Sequence, residues 1–148
     1  MKNRLLVIGA AMLTFSTVSV SAQKLSSKEV PSVILNNFQT KFRNAEDVEW
    51  KLKNGYYKVE FEVAHRDYEI KYDTKGAMLS YEEEMDTAAV PQPVRAAAMS
   101  KHPGTVLTEA KKIETGAVTY KIEVKNNAGD EWDLVIDPAG KIISDKRD

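Results

Sequence analysis

With two histidines and no cysteine, the chain has few of the groups that usually do chemistry. Thiol nucleophiles and thiolate metal sites are excluded, and no Gly-x-Ser-x-Gly elbow presents a serine. Ser100 and His102 bring a hydroxyl and an imidazole close in sequence. They stand just before Pro103-Gly104, however, where helix-stop residues belong, and sequence proximity is not triad geometry. His65 lies in His65-Arg66-Asp67, a polar stretch that reads as a turn between strands. With no second histidine nearby, it makes a poor metal centre. The acidic run Glu82-Glu83-Glu84 with Asp86 would attract cations by charge. It lacks the Asp-x-Asp-x-Asp-Gly loop that aims oxygens at one calcium ion, so it reads as a hydrated linker. No glycine loop is placed to cradle phosphate. Neither a catalytic residue nor a metal or cofactor site is expected, and the chain reads as a non-enzyme.

The polar residues worth following alternate with apolar ones. Tyr57, Val59, Phe61 and Val63 fall on one side of a strand, with Lys58, Glu60 and Glu62 on the other. Tyr68, Ile70 and Tyr72 oppose Glu69 and Lys71 in the same way, and later in the chain Lys121, Glu123, Lys125 and Asp133 repeat the phase. A sheet built from such strands buries one side and shows water a charged side. These nine residues form the candidate partner-binding face. A rigid sheet presents side chains at fixed spacing and low ordering cost, and its charges would tune partner choice more than affinity. The ordinary alternative is a solvated face whose exposed ion pairs contribute only about 0–1 kcal/mol each.

The elements that carry this face follow from periodicity. Val30, Ile34, Leu35, Phe38 and Phe42 form a helical stripe, starting near Ser27 to Val30 with Pro31 in its first turn and ending at Arg43-Asn44. Period-two segments follow: Val48, Trp50 and Leu52 alternate with Asp47, Glu49 and Lys51, and Asn54-Gly55 makes a hairpin turn. The six tyrosines mostly keep the apolar phase, and Trp50 reads as core. A fourth strand runs about Ala77–Glu82 after the turn Asp73–Gly76. A second helix spans Pro91–Lys101. Strands follow near Val106–Ile113, Val118–Lys125, Glu131–Asp137 and Lys141–Ser144.

Landmarks recur in order. Val30-Pro31 matches Val90-Pro91, Gly55 matches Gly116, Tyr57–Glu60 matches Tyr120–Glu123, and Asp73-x-x-Gly76 matches Asp137-x-x-Gly140. The spacing drifts from about 60 to about 64 residues, as small loop insertions would make it. The fold class expected is α+β: two tandem helix-plus-four-strand repeats, 23–85 and 86–148, forming one compact domain. Their strands join edge to edge in one antiparallel sheet over a common core, with both helices packed on one face.

Residues 1–22 read as a secretory signal. Lys2 and Arg4 precede an apolar run too short to span a bilayer, and Val20-Ser21-Ala22 suits cleavage before Gln23. About 126 residues then remain, enough for one domain. The whole chain carries a net charge of −1, and losing Lys2 and Arg4 makes it more acidic. That balance argues against nucleic acid and anionic lipid as partners. The expected location is periplasmic or secreted, with no membrane span after cleavage and no disulfide framework.

Signal segment, missing cysteine and two Val-Pro-opened units together resemble the PepSY-like family of exported bacterial proteins, which is similar to the beta-lactamase inhibitor protein. The likeness rests on Pro31 and its helix, Glu49-Trp50, Tyr57-Lys58-Val59-Glu60 and Asp73-x-x-Gly76. Pro91, Tyr120-Lys121-Ile122-Glu123 and Asp137-x-x-Gly140 match them in the second unit, which has Ala110-Lys111 in the place of Trp50. The resemblance implies a non-enzymatic module whose open sheet grips another periplasmic or secreted protein. Relatives with the PepSY name are linked to restraining peptidases, but these residues point to neither peptidases nor beta-lactamases as the target. The inhibitor protein is strengthened by disulfides, which this chain lacks. A structural or envelope-stress protein without an enzyme target, and an enzyme with an unrecognised site, are the alternatives.

Overall fold

A computed structural model describes residues 22–148; the signal segment expected at 1–22 falls almost wholly outside them. The chain forms nine strands and two helices: β1 (Gln23–Leu25), α1 (Ser32–Lys41), β2 (Glu46–Lys53), β3 (Tyr56–Val63), β4 (Arg66–Tyr72), β5 (Met78–Glu84), α2 (Gln92–Lys101), β6 (Val106–Glu114), β7 (Val118–Lys125), β8 (Glu131–Ile136) and β9 (Ile142–Arg147). All nine strands lie in one sheet in chain order, and every neighbouring pair is antiparallel.

Both helices start the same way. A 3-10 turn (Ser27–Glu29 or Thr87–Ala89) precedes Val-Pro, and the proline caps the helix rather than sitting inside it. The first helix is therefore shorter than its apolar stripe: α1 ends at Lys41, and Val30 and Phe42 pack from outside it. The stripe reaches beyond the helix because the chain on each side runs over the same core.

Register puts both helices on one side of the sheet. Trp50 pairs with Val59, Val59 with Ile70, Ile70 with Tyr81, Tyr81 with Glu114 and Glu114 with Val118, so these residues share a face with Tyr120 and Ile122. Ile34 and Phe38 of α1 pack on Trp50, Val59 and Phe61, while Val94 and Ala98 of α2 pack on Ala110, Ile122 and Leu134. Phe38 meets Trp50 and Phe61 edge-on, with ring centroids 5.3 and 4.9 Å apart, a favoured aromatic geometry.

The Asp-x-x-Gly turns lock these layers. Asp73 Oδ1 accepts from the Lys75 and Ala77 amides at 2.9 and 2.8 Å, and Asp137 Oδ1 from the Ala139 and Lys141 amides, both at 2.9 Å. Each turn then abuts the start of a helix. Asn37 Nδ2 donates to the Gly76 carbonyl at 3.0 Å.

Four expectations are corrected. The first repeat has five strands instead of four: β1 has three residues, two of them polar, with no alternation signal, and it pairs on the edge that β2 offers. The acidic run is no linker, since Glu82–Glu84 form the end of β5 and pair with Lys111–Ile113. The common core is instead two clusters, one under each helix. Val48 is 41% exposed although Trp50 is buried. A bulge with Asp47 at φ 49° interrupts the pairing there and carries Val48 past the end of the packed layer.

A candidate partner-binding face

The side of the sheet opposite the helices carries the charged residues, and the register arranges them in rows. Lys24, Lys51, Lys58 and Lys71 face one another across β1 to β4; Glu49, Glu60, Glu69 and Glu82 form the adjacent row across β2 to β5. Like charges directly opposite repel. The repulsion is offset because every lysine reaches into the acidic row.

The result is one unbroken path of ion pairs across five strands. Lys24 bridges Glu49 (3.0 Å), Glu49 bridges Lys51 (3.0 Å), Lys51 bridges Glu60 (2.5 Å) and Glu60 bridges Lys58 (2.5 Å). Lys58 bridges Glu69 (2.9 Å), Glu69 bridges Lys71 (2.9 Å), and Lys71 ends the path on Glu82 at 3.6 Å. The middle is the most covered, with the Lys58 side chain 17% exposed. Burial there disfavours the Lys58 charge, but bonds to Glu60 and Glu69 prevail and hold its ammonium above the ordinary lysine range. For Glu69, burial works upward while Lys71 and Lys58 pull harder downward, so the carboxyl lies below the ordinary range; Glu60 behaves alike through Lys51 and Lys58.

The pattern recurs in part on β6 to β8. Lys111 bridges Glu109 at 2.8 Å and Lys121 bridges Asp133 at 2.9 Å. Val135 pairs with Lys121 much as Lys71 pairs with Lys58, so the path has no lysine to continue on. Glu123 instead accepts from Thr108 Oγ1 at 2.5 Å, and Lys125 pairs with Glu131.

Lysine is scarce at one corner of this face. Asp47, Glu62, Asp67 and Glu84 line a hollow of about 350 Å³ together with acids of the path, and Lys111 is the one lysine on its wall. On the helix side, Leu25, Phe38, Phe42, Val48 and Trp50 line a wider apolar groove of about 660 Å³.

All nine residues singled out in the sequence stand on β3, β4, β7 or β8 in the phase opposite the buried residues. Lys58, Glu60, Glu69 and Lys71 are brought into one network, Glu62 lies in the hollow, and Lys121 joins Asp133. The sequence reading missed Lys24, Glu49, Lys51, Glu82 and Lys111. Glu49 and Lys51 carried a usable signal, since they alternate with Trp50. Lys24 lies on the unforeseen strand, and Glu82 falls in the sequence where the expected fourth strand and the acidic linker overlap.

Ser100 is exposed near the end of α2, and among the described residues the hydrogen bond of the His102 ring goes to Asp145 rather than to Ser100. His102 Nε2 is 2.9 Å from Asp145 Oδ1, and its ring stacks on Trp132 at 4.6 Å, so the imidazole ties α2 to β8 and β9. His65 lies with Ala64 in the β3–β4 turn, both at positive φ. Among the described residues no group of three or more His, Cys, Asp or Glu is placed to hold a metal ion. Nor is any helix there long and apolar enough to cross a membrane.

A family model described as "putative beta-lactamase-inhibitor-like, PepSY-like" matches residues 16–80 and 55–144. The chain belongs to the PepSY-like family. This PepSY-like chain is similar to three solved Bacteroides structures. A protein from Bacteroides eggerthii described as "putative periplasmic" has TM-score 0.71 at 14% identity, covering 80% of this chain and 88% of its own. A DUF2874 family protein from Bacteroides uniformis has TM-score 0.69 at 17% identity, covering 79% and 88%. A protein from Bacteroides fragilis described as BLIP-like has TM-score 0.64 at 21% identity, covering 78% and 84%. At these identities the likeness establishes the fold. No curated protein matches the sequence.

Proposed function

We propose that this PepSY-like protein is an exported, non-enzymatic binding or inhibitory module that docks on another envelope or secreted protein through its open sheet face. It works in the periplasm or outside the cell, and its two helix-plus-four-strand runs are tandem copies of one unit. The inhibitor-like family and the periplasmic description of a relative's fold support this reading. One structural observation carries it: the path from Lys24 to Glu82 holds long, normally mobile side chains in place across the face.

Ordering a free lysine or glutamate at an interface costs about 0.5–1.5 kcal/mol, and side chains already ordered by one another avoid much of that loss. The acidic corner adds selectivity, because it favours a partner with lysine or arginine at that point and repels an acidic one. The partner-binding residues proposed are Lys58, Glu60, Glu62, Glu69, Lys71, Lys121, Glu123, Lys125 and Asp133.

The test is capture from cell-envelope extract with the unaltered protein, with a Lys58→Glu/Lys121→Glu variant and with Lys75→Glu as an exposed control off this face. Recovery of a partner that is lost in the double variant and kept in the control supports the reading. Equal recovery with all three removes the face from consideration.

A further inference from the structure

The two apolar clusters lie on either side of the β5–β6 pairing, and that junction is thin. Tyr81–Glu84 pair there with Lys111–Glu114, a shorter ladder than any other in the sheet except that of β1. Charged residues stand on both sides of it, beneath the helices as well as on the open face. Glu83 faces Lys112 and Glu84 faces Lys111, yet neither pair closes. Lys111 turns to Glu109 at 2.8 Å and Lys112 to Glu114 at 2.6 Å, both on their own strand. Tyr81 donates to Glu83 at 3.2 Å, and its ring lies against Phe42 and Tyr68 of the first cluster. Each of these side chains is satisfied on its own side. Among the described residues no side-chain hydrogen bond or ion pair crosses from β5 to β6.

We propose that the β5–β6 junction is a hinge between two separately cooperative halves, about which the open face changes its curvature. Neighbouring strands in different sheets are twisted by anything from about −10 to −35°, so a pair whose angle no side-chain packing fixes has room to move. From β2 to β4 and from β6 to β8 buried apolar side chains fix it; at this junction no residue of Tyr81–Glu84 or Lys111–Glu114 is buried, and only Met85, just past β5, packs on the second cluster. Each half also has its own helix lid and aromatic or aliphatic centre, the features of a local folding unit. Turning about the junction leaves both cores intact and moves the path from Lys24 to Glu82 relative to Lys121 and Asp133. The hinge is independent of the docking role.

The test exploits the absence of cysteine. Nitroxide labels are placed at the exposed positions of Lys75→Cys and Lys141→Cys, one in each half, and in a second protein at Lys41→Cys and Lys75→Cys, both in the first half. Pulsed dipolar spectroscopy should give an inter-half distance distribution roughly twice as wide as the intra-half one, if twist at the junction spans the ordinary range. Native-state hydrogen exchange on the unaltered chain should show Ile70 and Leu134 opening at different denaturant concentrations. Equal distribution widths, or one shared opening for both residues, overturns the hinge.

Discussion

Gly140 lies so close to Pro93 that a Cβ at Gly140 would stand 2.7 Å from the Pro93 carbonyl oxygen. A backbone oxygen capped into the start of α2 cannot yield as a flexible side chain does. Gly140 also holds φ 91°, a conformation that L side chains rarely adopt. Gly140→Ala should therefore cost about 2–4 kcal/mol, strain and overpacking acting together. Gly116→Ala, at φ 80° with nothing within 4 Å, should cost only the strain, about 1–2 kcal/mol. Urea denaturation of the two variants measures the difference, and equal losses would show that the contact with Pro93 is irrelevant.

The ion-pair path makes the fold sensitive to acid. Glu60 and Glu69 have folded pKa values below their ordinary 4.5. Their contribution is complete above that value and disappears as pH falls through the lower folded value. Lys58 and Lys71 sit above their ordinary 10.5, so their contribution is full below it and fades as pH climbs past the folded value. Stability should decline below about pH 4.5 and again above about pH 10.5. In Lys58→Met, Glu60 and Glu69 face each other with one shared ammonium removed. That variant should lose about 1 kcal/mol at pH 7, a figure kept small by solvent screening, and should lose less on acidification, because protonation then relieves repulsion. Chemical denaturation at pH 7 and pH 4 checks both signs.

The alternation of Tyr57 to Val63 and of Tyr68 to Tyr72 made the sheet and its charged side legible, since burial on one face leaves a period of two that short segments still display. Residue types cannot display register. Nothing in the spacing says that Lys58 stands opposite Lys71 or that their glutamates lie one row over, so the ion-pair path could not be read from the chain. Glu82–Glu84 misled for a related reason: a charge run reads as a linker unless its neighbour is known, and here that neighbour supplies Lys111 and Lys112. Likewise β1 takes its structure from the open edge of β2, not from its own three residues.

His102, Lys101 and Asp145 tie the last strand to α2. Lys101 Nζ is 3.5 Å from Asp145, Trp132 stacks on His102, and the Arg147 guanidinium lies over the Trp132 ring, 5.7 Å from its centroid. Asp145→Ala removes the acceptor shared by Lys101, the last residue of α2, and His102, which caps it. β9 should then fray at a cost of about 1 kcal/mol, the usual net value of a hydrogen bond. Faster hydrogen exchange limited to the amides of Ile142–Arg147 is the expected readout, and unchanged rates there would show that backbone pairing with β8 alone holds the strand.

The two halves fill equivalent places with different volumes. Phe38 and Trp50 meet under α1, whereas Ala98 and Ala110, each about 60 residues later, occupy the same positions under α2. The second core recovers bulk elsewhere, with Trp132 packed against it on β8 where the first has Tyr68. Phe38→Ala removes a ring touching Trp50, Phe61 and Phe42, and should cost about 3–5 kcal/mol. Ala98→Phe forces a ring into a site fully closed at 0% exposure, and should cost about 1–3 kcal/mol by overpacking. Because the clusters are separate, each loss should fall on its own half. In Phe38→Ala, Trp50 fluorescence should shift at lower urea while Trp132 stays nearly unmoved, and Ala98→Phe should give the reverse. Both tryptophans moving together in either variant would mean that the cores communicate across β5 and β6.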